Sequence, residues 1–206
     1  MNDHYYTRVP QSASRPVDCS FAFRGHALSF ETDAGVFSRG EVDPGTRLLL
    51  NALPETLSGD VLDLGCGWGV IGISLAKAFP EARLTLADVN TRALDLSKKN
   101  AERNGVRNLT CVESDGFSGL QGRTFDAVVT NPPIRAGKQV IYGMFADAAR
   151  ALNPGGSLFL VIRKQQGAES CQRYLATLFS DVQRLERDAG YWVLQAKGNP
   201  DLQVSS

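Results

Sequence analysis

Val61-Leu-Asp-Leu-Gly-Cys-Gly-Trp-Gly-Val70 decides the fold. A short apolar run with one acidic residue, 61–64, meets three alternating glycines, Gly65, Gly67 and Gly69, and an apolar stretch follows from Val70 to Phe79. That order is a buried strand feeding a helix through a tight turn, and the glycines let the backbone approach a ligand that a β-carbon would hold off. A turn of this kind also serves nicotinamide cofactors or simple packing. Asp63 shifts the balance, because a carboxylate suits a cationic ammonium group and is a poor neighbour for a pyrophosphate. No Gly-Lys-Ser/Thr of a phosphate loop follows the glycines.

Working outward, the chain alternates strand and helix signals. After the helix over 70–79 we expect a strand over 83–88, a helix over 92–103 stopped by Asn104-Gly105, and strands over 109–112 and 125–130. A helix over 140–152 breaks at Asn153-Pro-Gly-Gly156 before a strand over 157–162. A helix over 168–178 and two short strands over 182–185 and 191–196 close the series. Repeated βα units predict an α/β, doubly wound, Rossmann-like sheet, mostly parallel with an antiparallel end. Upstream, 19–23 and 27–32 alternate like a hairpin across Arg24-Gly-His26, and Asp43-Pro-Gly-Thr46 is a turn entering a helix over 47–53. The expected organisation is a flexible arm over 1–17, one domain over 18–197 and a tail over 198–206. Within the domain, 18–57 is a β extension acting as lid or platform, and 58–197 is the cofactor-binding core.

Three further junctions carry chemistry. Asp88 ends the second core strand, where a carboxylate can take two ribose hydroxyls or simply cap the next helix. Asp115-Gly116-Phe117 follows the third, as a turn or as the edge that meets an adenine amine. Asn131-Pro-Pro-Ile134 follows the fourth. A proline pair alone is a rigid turn, but the Asn131 side-chain oxygen and the Pro132 carbonyl are two acceptors that could hold both hydrogens of a planar exocyclic amine and orient its nitrogen for attack.

With these residues in view, the chain resembles the class I S-adenosylmethionine-dependent methyltransferases. It looks in particular like the small-domain family related to bacterial small-subunit ribosomal RNA guanine-amine methyltransferases. The likeness spans roughly 18–197, through Gly35-Val-Phe-Ser38, Asp43-Pro-Gly-Thr-Arg-Leu-Leu-Leu50, 61–72, 86–94, Asn131 to Lys138 and Val161-Ile-Arg-Lys-Gln-Gln-Gly167. It implies S-adenosylmethionine as cofactor and no metal, since the cofactor already carries an activated methyl. The loop Gly65, Cys66 and Gly67 would hold that cofactor with Asp63, Asp88 and Asn90, while Asp115 and Gly116 would mark its adenine edge. Thr46 would help close the site. Asn131 would be catalytic with Pro132, and would also touch the cofactor. The acceptor would meet Phe37, Pro133 and Ile134, and Arg135, Lys138, Arg163 and Lys164 would hold RNA phosphates. Ile134 departs from the family's aromatic, so the stacking ring is sought in Phe37, Phe117 or Tyr142, with Phe37 preferred for its place in the extension. Trp68 either covers part of the cofactor or packs in the core.

Composition sets the bounds. Hydrophobic residues at 43% and charged residues at 21% describe an ordinary globular chain, and a formal charge of zero offers no broad attraction for nucleic acid. Locally, Arg135, Lys138, Arg150, Arg163 and Lys164 face only Asp147 between 127 and 168, a focused basic patch or a solvated edge. Four scattered cysteines have no ligand spacing, which speaks against a zinc cluster or disulfide scaffold. No leader-like or membrane-spanning run is evident, so a cytoplasmic enzyme is expected. The expected partner is ribosomal RNA or the small ribosomal subunit. The larger ribosomal enzymes have a second, degenerate domain for RNA recognition that a chain of this length would not contain; a partner protein, a homodimer or a smaller RNA footprint could stand in for it. Methylation of protein glutamine or of a small-molecule amine is the alternative activity, and RNA binding without catalysis the non-enzymatic one. Neither His4 nor His26 has a context that sets it beside Asn131 as a base, so the proton is expected to leave through solvent.

Overall fold

A computed structural model of the protein describes residues 12–198. Most of the expected arm and all of the tail beyond Gly198, with His4, lie outside the described residues.

Seven strands form one sheet in the order β5-β4-β3-β6-β7-β9-β8. They are β3 Gly59–Leu64, β4 Ala82–Asp88, β5 Leu109–Glu113, β6 Phe125–Thr130, β7 Leu152–Arg163, β8 Asp181–Asp188 and β9 Tyr191–Lys197. The pairs β3/β4, β3/β6, β4/β5 and β6/β7 are parallel; β9 runs antiparallel to both β7 and β8. This is the mostly parallel sheet with an antiparallel end that the sequence implies. Strand order reverses between β3 and β6, and a ligand crevice belongs outside the carboxyl ends of the strands at such a switch point.

Period-two alternation sends neighbouring strand residues into two separate cores. Val61, Val129, Phe159 and Val161 pack with α1 Pro44–Ala52, α2 Val70–Ala78 and α3 Thr91–Arg103 on one face. Leu62, Leu64, Val128, Leu158 and Leu160 pack with α4 Lys138–Ala151 and α5 Ala168–Leu175 on the other. With both faces covered, the central strands read as unbroken apolar runs. Among the described residues no helix is long and apolar enough to cross a membrane.

The N-terminal hairpin, β1 Val17–Phe23 and β2 His26–Thr32, forms its own two-stranded sheet. Two asparagines one turn apart, Asn100 on α3 and Asn104 at its C-cap, serve β2 as a substitute strand. Asn100 Oδ1 accepts from Glu31 N at 2.7 Å and its Nδ2 donates to Glu31 O at 2.9 Å. Asn104 does the same for Ser29, at 3.0 and 2.8 Å. Phe30 then meets Trp68 edge-on, with centroids 5.1 Å apart. The extension is thereby fastened to the helix that follows β4 and to the glycine turn itself.

Several expected boundaries shift. Asp43 caps α1, accepting from Thr46 N at 3.1 Å, so the helix starts at Pro44 and the expected turn is its first turn. The Asn153-Pro-Gly-Gly156 break lies inside β7: Leu152 already pairs with Phe125, the next pair is Ala127 with Ser157, and the residues between bulge out with Gly155 at φ 76°. α5 ends at Leu175 and its last expected turn runs on as turns. Edge strand β8 extends to Asp188 through a register shift between Arg184 and Glu186.

Candidate active site

At the carboxyl ends of β3, β4 and β6 lies a cavity of about 390 Å³, within the roughly 300–1,000 Å³ range of small-molecule sites. The glycine turn forms its floor. Gly65 and Gly67 have φ of +74° and +56°, a conformation costly for other residues, and a β-carbon on either would meet no protein atom within 4 Å. Both glycines border this cavity, so bare backbone is presented to it. Gly65 N and Cys66 N donate to Ala87 O at 2.8 and 3.0 Å, and Gly67 N donates to Asp88 Oδ2 at 2.8 Å.

Asp88 thus pins the loop with one oxygen, while its Oδ1 accepts from Asn90 N at 2.8 Å. Burial pushes its carboxyl above the ordinary value, against the backbone N–H groups of Asn90, Gly67 and Val89, which hold it down. Each oxygen keeps acceptor capacity for a ligand hydroxyl. Asp115 is exposed where it borders the cavity with Ser114 and Gly116. Burial also pushes the Cys66 thiol well up, so Cys66 serves the wall as a neutral, apolar group.

The extension supplies the roof. Trp68 Nε1 donates to Phe37 O at 2.8 Å, Asn90 Nδ2 to Gly35 O at 2.9 Å, and Arg92 to Ala34 O at 2.8 Å. Val36, Phe37 and Ser38 line the cavity as a result. Phe37 keeps 37% of its surface exposed.

Opposite the glycines, Thr130 Oγ1 donates to Leu64 O at 2.7 Å and fixes the end of β6 beside the end of β3. Asn131 follows. Its Nδ2 donates to Thr46 Oγ1 at 2.9 Å, on the first turn of α1, and to Asp43 Oδ2 at 3.2 Å, on the residue that caps it. With the amide nitrogen committed, Oδ1 is left as the acceptor, and it has no protein donor among the described residues. Pro132 O accepts from Ile134 N at 2.8 Å, which leaves its second lone pair. Asn131 and Pro132 border the first cavity and also a second one of about 460 Å³, which shares Phe37 and Asp43 and extends to Ile134, Arg135, Arg163, Gln166 and Tyr191. Two chambers therefore meet at Asn131.

Of the residues expected to hold the cofactor, Thr46, Gly65, Cys66, Gly67, Asp88, Asp115, Gly116 and Asn131 lie on the first cavity. Pro133 lies there too, while Phe37 borders both chambers and Ile134, Arg135 and Arg163 border the second. Four of the expected residues lie off both cavities. Asp63 is wholly buried beneath α2, where Oδ2 accepts from Gly72 N at 2.8 Å, and it does not line either cavity. Asn90 is also buried; it caps α3 through Ala93 N and carries Gly35, so it shapes the roof without bordering the cavity. Lys138 sits 5.0 Å from the ring centre of Tyr142, and Lys164 borders a separate groove with Glu169 and Arg173; neither reaches the chambers. Of the candidate rings, Tyr142 stacks on Tyr174 at 4.0 Å and Phe117 packs into the second core, which leaves Phe37. Reading the sequence missed Asp43, Gln166 and Tyr191. Asp43-Pro44 does carry a helix-start signature; Gln166 and Tyr191 have no local signal.

These residues fit S-adenosylmethionine. Bare glycine backbone meets the cavity where a β-carbon would obstruct a ligand, a part-committed carboxylate ends β4 for the ribose, and apolar Leu64, Val89 and Met144 border the rest. Among the described residues no group of three or more His, Cys, Asp or Glu side chains is placed to hold a metal ion.

The chain belongs to the methyltransferase small domain family, whose model matches residues 27–195. It is 43% identical over 199 residues to the uncharacterized protein YbxB of Bacillus subtilis (strain 168), covering 96% of this chain and 99% of that one. It is 35% identical over 191 residues to ribosomal RNA large subunit methyltransferase G of Pseudomonas putida, covering 90% of this chain and 50% of the relative. Among solved structures it resembles a T. thermophilus 16S rRNA N2 methyltransferase in complex with AdoMet and guanosine, at 32% identity and a TM-score of 0.80, over 91% of this chain and 51% of that one. The chain thus spans about half the length of these two ribosomal RNA enzymes and nearly all of the Bacillus protein.

Proposed function

We propose that the protein transfers the methyl group of S-adenosylmethionine to the exocyclic amine of guanine in small-subunit ribosomal RNA, in the cytoplasm. The observation that carries this reading is the Asn131 amide, held by Asp43 and Thr46 so that its oxygen remains as acceptor where the two chambers meet.

The cofactor supplies an activated methyl on a sulfonium. The protein's own groups do the rest. Asp88 and the glycine turn hold the cofactor's nucleoside, and Asp115 is available to its base. Asn131 Oδ1 and the Pro132 carbonyl accept the two amine hydrogens, which turns the nitrogen lone pair toward the cofactor chamber. Fixing that approach lowers the barrier by removing rotational freedom that a free amine would lose on reacting. Phe37 and Ile134 flank the acceptor plane, one aromatic and one aliphatic wall. Among the described residues no histidine borders either chamber, and the amine proton departs to solvent after transfer.

The test is incubation with methyl-labelled cofactor and separate acceptor pools: naked small-subunit RNA, assembled small subunits, large-subunit RNA and RNA-free extract. Label recovered as a guanine exocyclic-amine product from a small-subunit pool is the expected result. Label in the large-subunit pool alone would move the target to that subunit. Label in the RNA-free extract alone would replace the RNA reading with a protein or small-molecule amine.

A further inference from the structure

The second chamber holds a guanidinium that the transfer chemistry does not use. Arg163 ends β7, directly opposite Tyr191 in the antiparallel register with β9. Its guanidinium lies 4.6 Å from the centre of the Tyr191 ring and donates to the phenol oxygen. Tyr191 is only 8% exposed, wedged against the first turn of α1: a β-carbon on Gly45 would come within 2.7 Å of the ring. That same turn carries Asp43 and Thr46, which orient Asn131. One backbone turn therefore supports both the amine acceptor and, through Tyr191, the arginine. Arg163 makes no ion pair among the described residues, and with one N–H given to Tyr191 it keeps donors for a ligand.

A planar fork fixed in this way suits two neighbouring, coplanar acceptors better than it suits a single point charge. Among bases that carry an exocyclic amine, guanine presents such a pair, O6 and N7, on an edge separate from the amine. We infer that Arg163, braced by Tyr191, is the specificity-determining residue of the acceptor chamber and reads the O6/N7 edge of guanine. The inference rests on the proposed reaction for its substrate class and goes beyond it in assigning the reader.

The experiment compares guanosine with 2-aminopurine riboside, which keeps the amine and N7 but lacks O6, and with 7-deazaguanosine, which keeps O6 but lacks N7. Binding to protein saturated with S-adenosylhomocysteine is measured by calorimetry for wild type, Arg163→Met and Tyr191→Phe. Small-subunit RNA carrying the same three bases at the methylated position is then assayed for transfer.

Wild type is expected to prefer guanosine over either analogue by roughly 5- to 150-fold, the usual worth of a bidentate arginine contact. Arg163→Met should bring both ratios close to one, and Tyr191→Phe should reduce them partway, because the fork loses its anchor but keeps the ring. If Arg163→Met weakens all three acceptors equally and flattens the salt dependence of RNA binding, Arg163 holds phosphate and the inference falls. If wild type shows no preference for guanosine, it falls as well. If no RNA pool is methylated but the nucleoside preference is present and collapses in Arg163→Met, the reader assignment stands and the RNA reading is the one that fails.

Discussion

The two chambers that meet at Asn131 are built by different means. The cofactor side has a floor of bare backbone drawn from strand ends, under side chains of the extension: Gly65 and Gly67 expose peptide groups, and Asp88 anchors the loop through Gly67 N. The acceptor side is made of side chains gathered from α1, the β6 turn, the end of β7 and the start of β9. A backbone wall can be altered only by changing the turn itself, so that side is rigid and generic. A side-chain wall can be rewritten one residue at a time, so selectivity for the acceptor belongs there.

The largest expected effect tests whether the walls are separable. Asn131→Ala removes the oriented acceptor and should lower kcat by roughly 100-fold or more, while the affinity for S-adenosylhomocysteine changes less than about threefold. Single-turnover transfer and calorimetry read the two separately. Equal losses in both would erase the distinction between the chambers.

The reverse pattern is expected from the glycine turn. Gly67→Val puts a branched side chain where φ is +56° and where the β-carbon has only open space before it. The left-handed backbone costs an ordinary L residue about 1–2 kcal/mol, and the side chain then occupies ligand volume. Cofactor affinity should fall about 10- to 30-fold, with little change in the turnover of whatever enzyme remains saturated. Retained affinity would show that the cofactor does not approach this backbone.

How much of each chamber is legible in the sequence follows from the same contrast. Gly65, Gly67, Asp88 and Asp115 sit at fixed offsets from strand ends, so their roles can be read from a few neighbouring residues. Asn131 is legible too, but the partners that orient it lie 85 and 88 positions away, and no local pattern links Asp43 to it. Tyr191 is invisible for the same reason. Asp63 lies off the cavity because strand alternation, unlike the glycine spacing, decides which face a residue takes: it shares the face of Val61 and meets α2. Lys138 and Lys164 lie off both chambers although Ala136, Val140 and Arg163, close by in the sequence, line them: counting charges along a loop carries no direction.

A smaller effect sharpens the acceptor side. Thr46→Val keeps the shape of the side chain and removes the oxygen that accepts from Asn131, leaving Asp43 as its brace among the described residues. We expect kcat to drop about 5- to 10-fold with cofactor affinity held, in line with the loss of one neutral hydrogen bond of about 1 kcal/mol. An unchanged kcat would assign the orientation to Asp43 alone.

The smallest effect separates support from contact on the cofactor side. Burial raises the Asp63 carboxyl from 3.8 to about 7; the Gly72 N–H holds it down and the Asp88 charge pushes it further up. Its Oδ1 has no protein donor among the described residues. A carboxyl raised on folding keeps its proton in the native state after the unfolded chain has released it, so its contribution to stability is complete below 3.8 and is lost as pH rises toward about 7. Asp63→Asn cannot titrate. Whatever its offset at low pH, the stability of the variant relative to wild type should therefore rise between pH 5 and pH 8, by about 2–3 kcal/mol in urea unfolding, and level off above that. Parallel curves would mean that Asp63 is already ionised in the folded protein at pH 5. Because the carboxyl stands behind the cavity wall, S-adenosylhomocysteine affinity at pH 8 should change less than about threefold in the same variant. A tenfold loss would instead put Asp63 in contact with the cofactor.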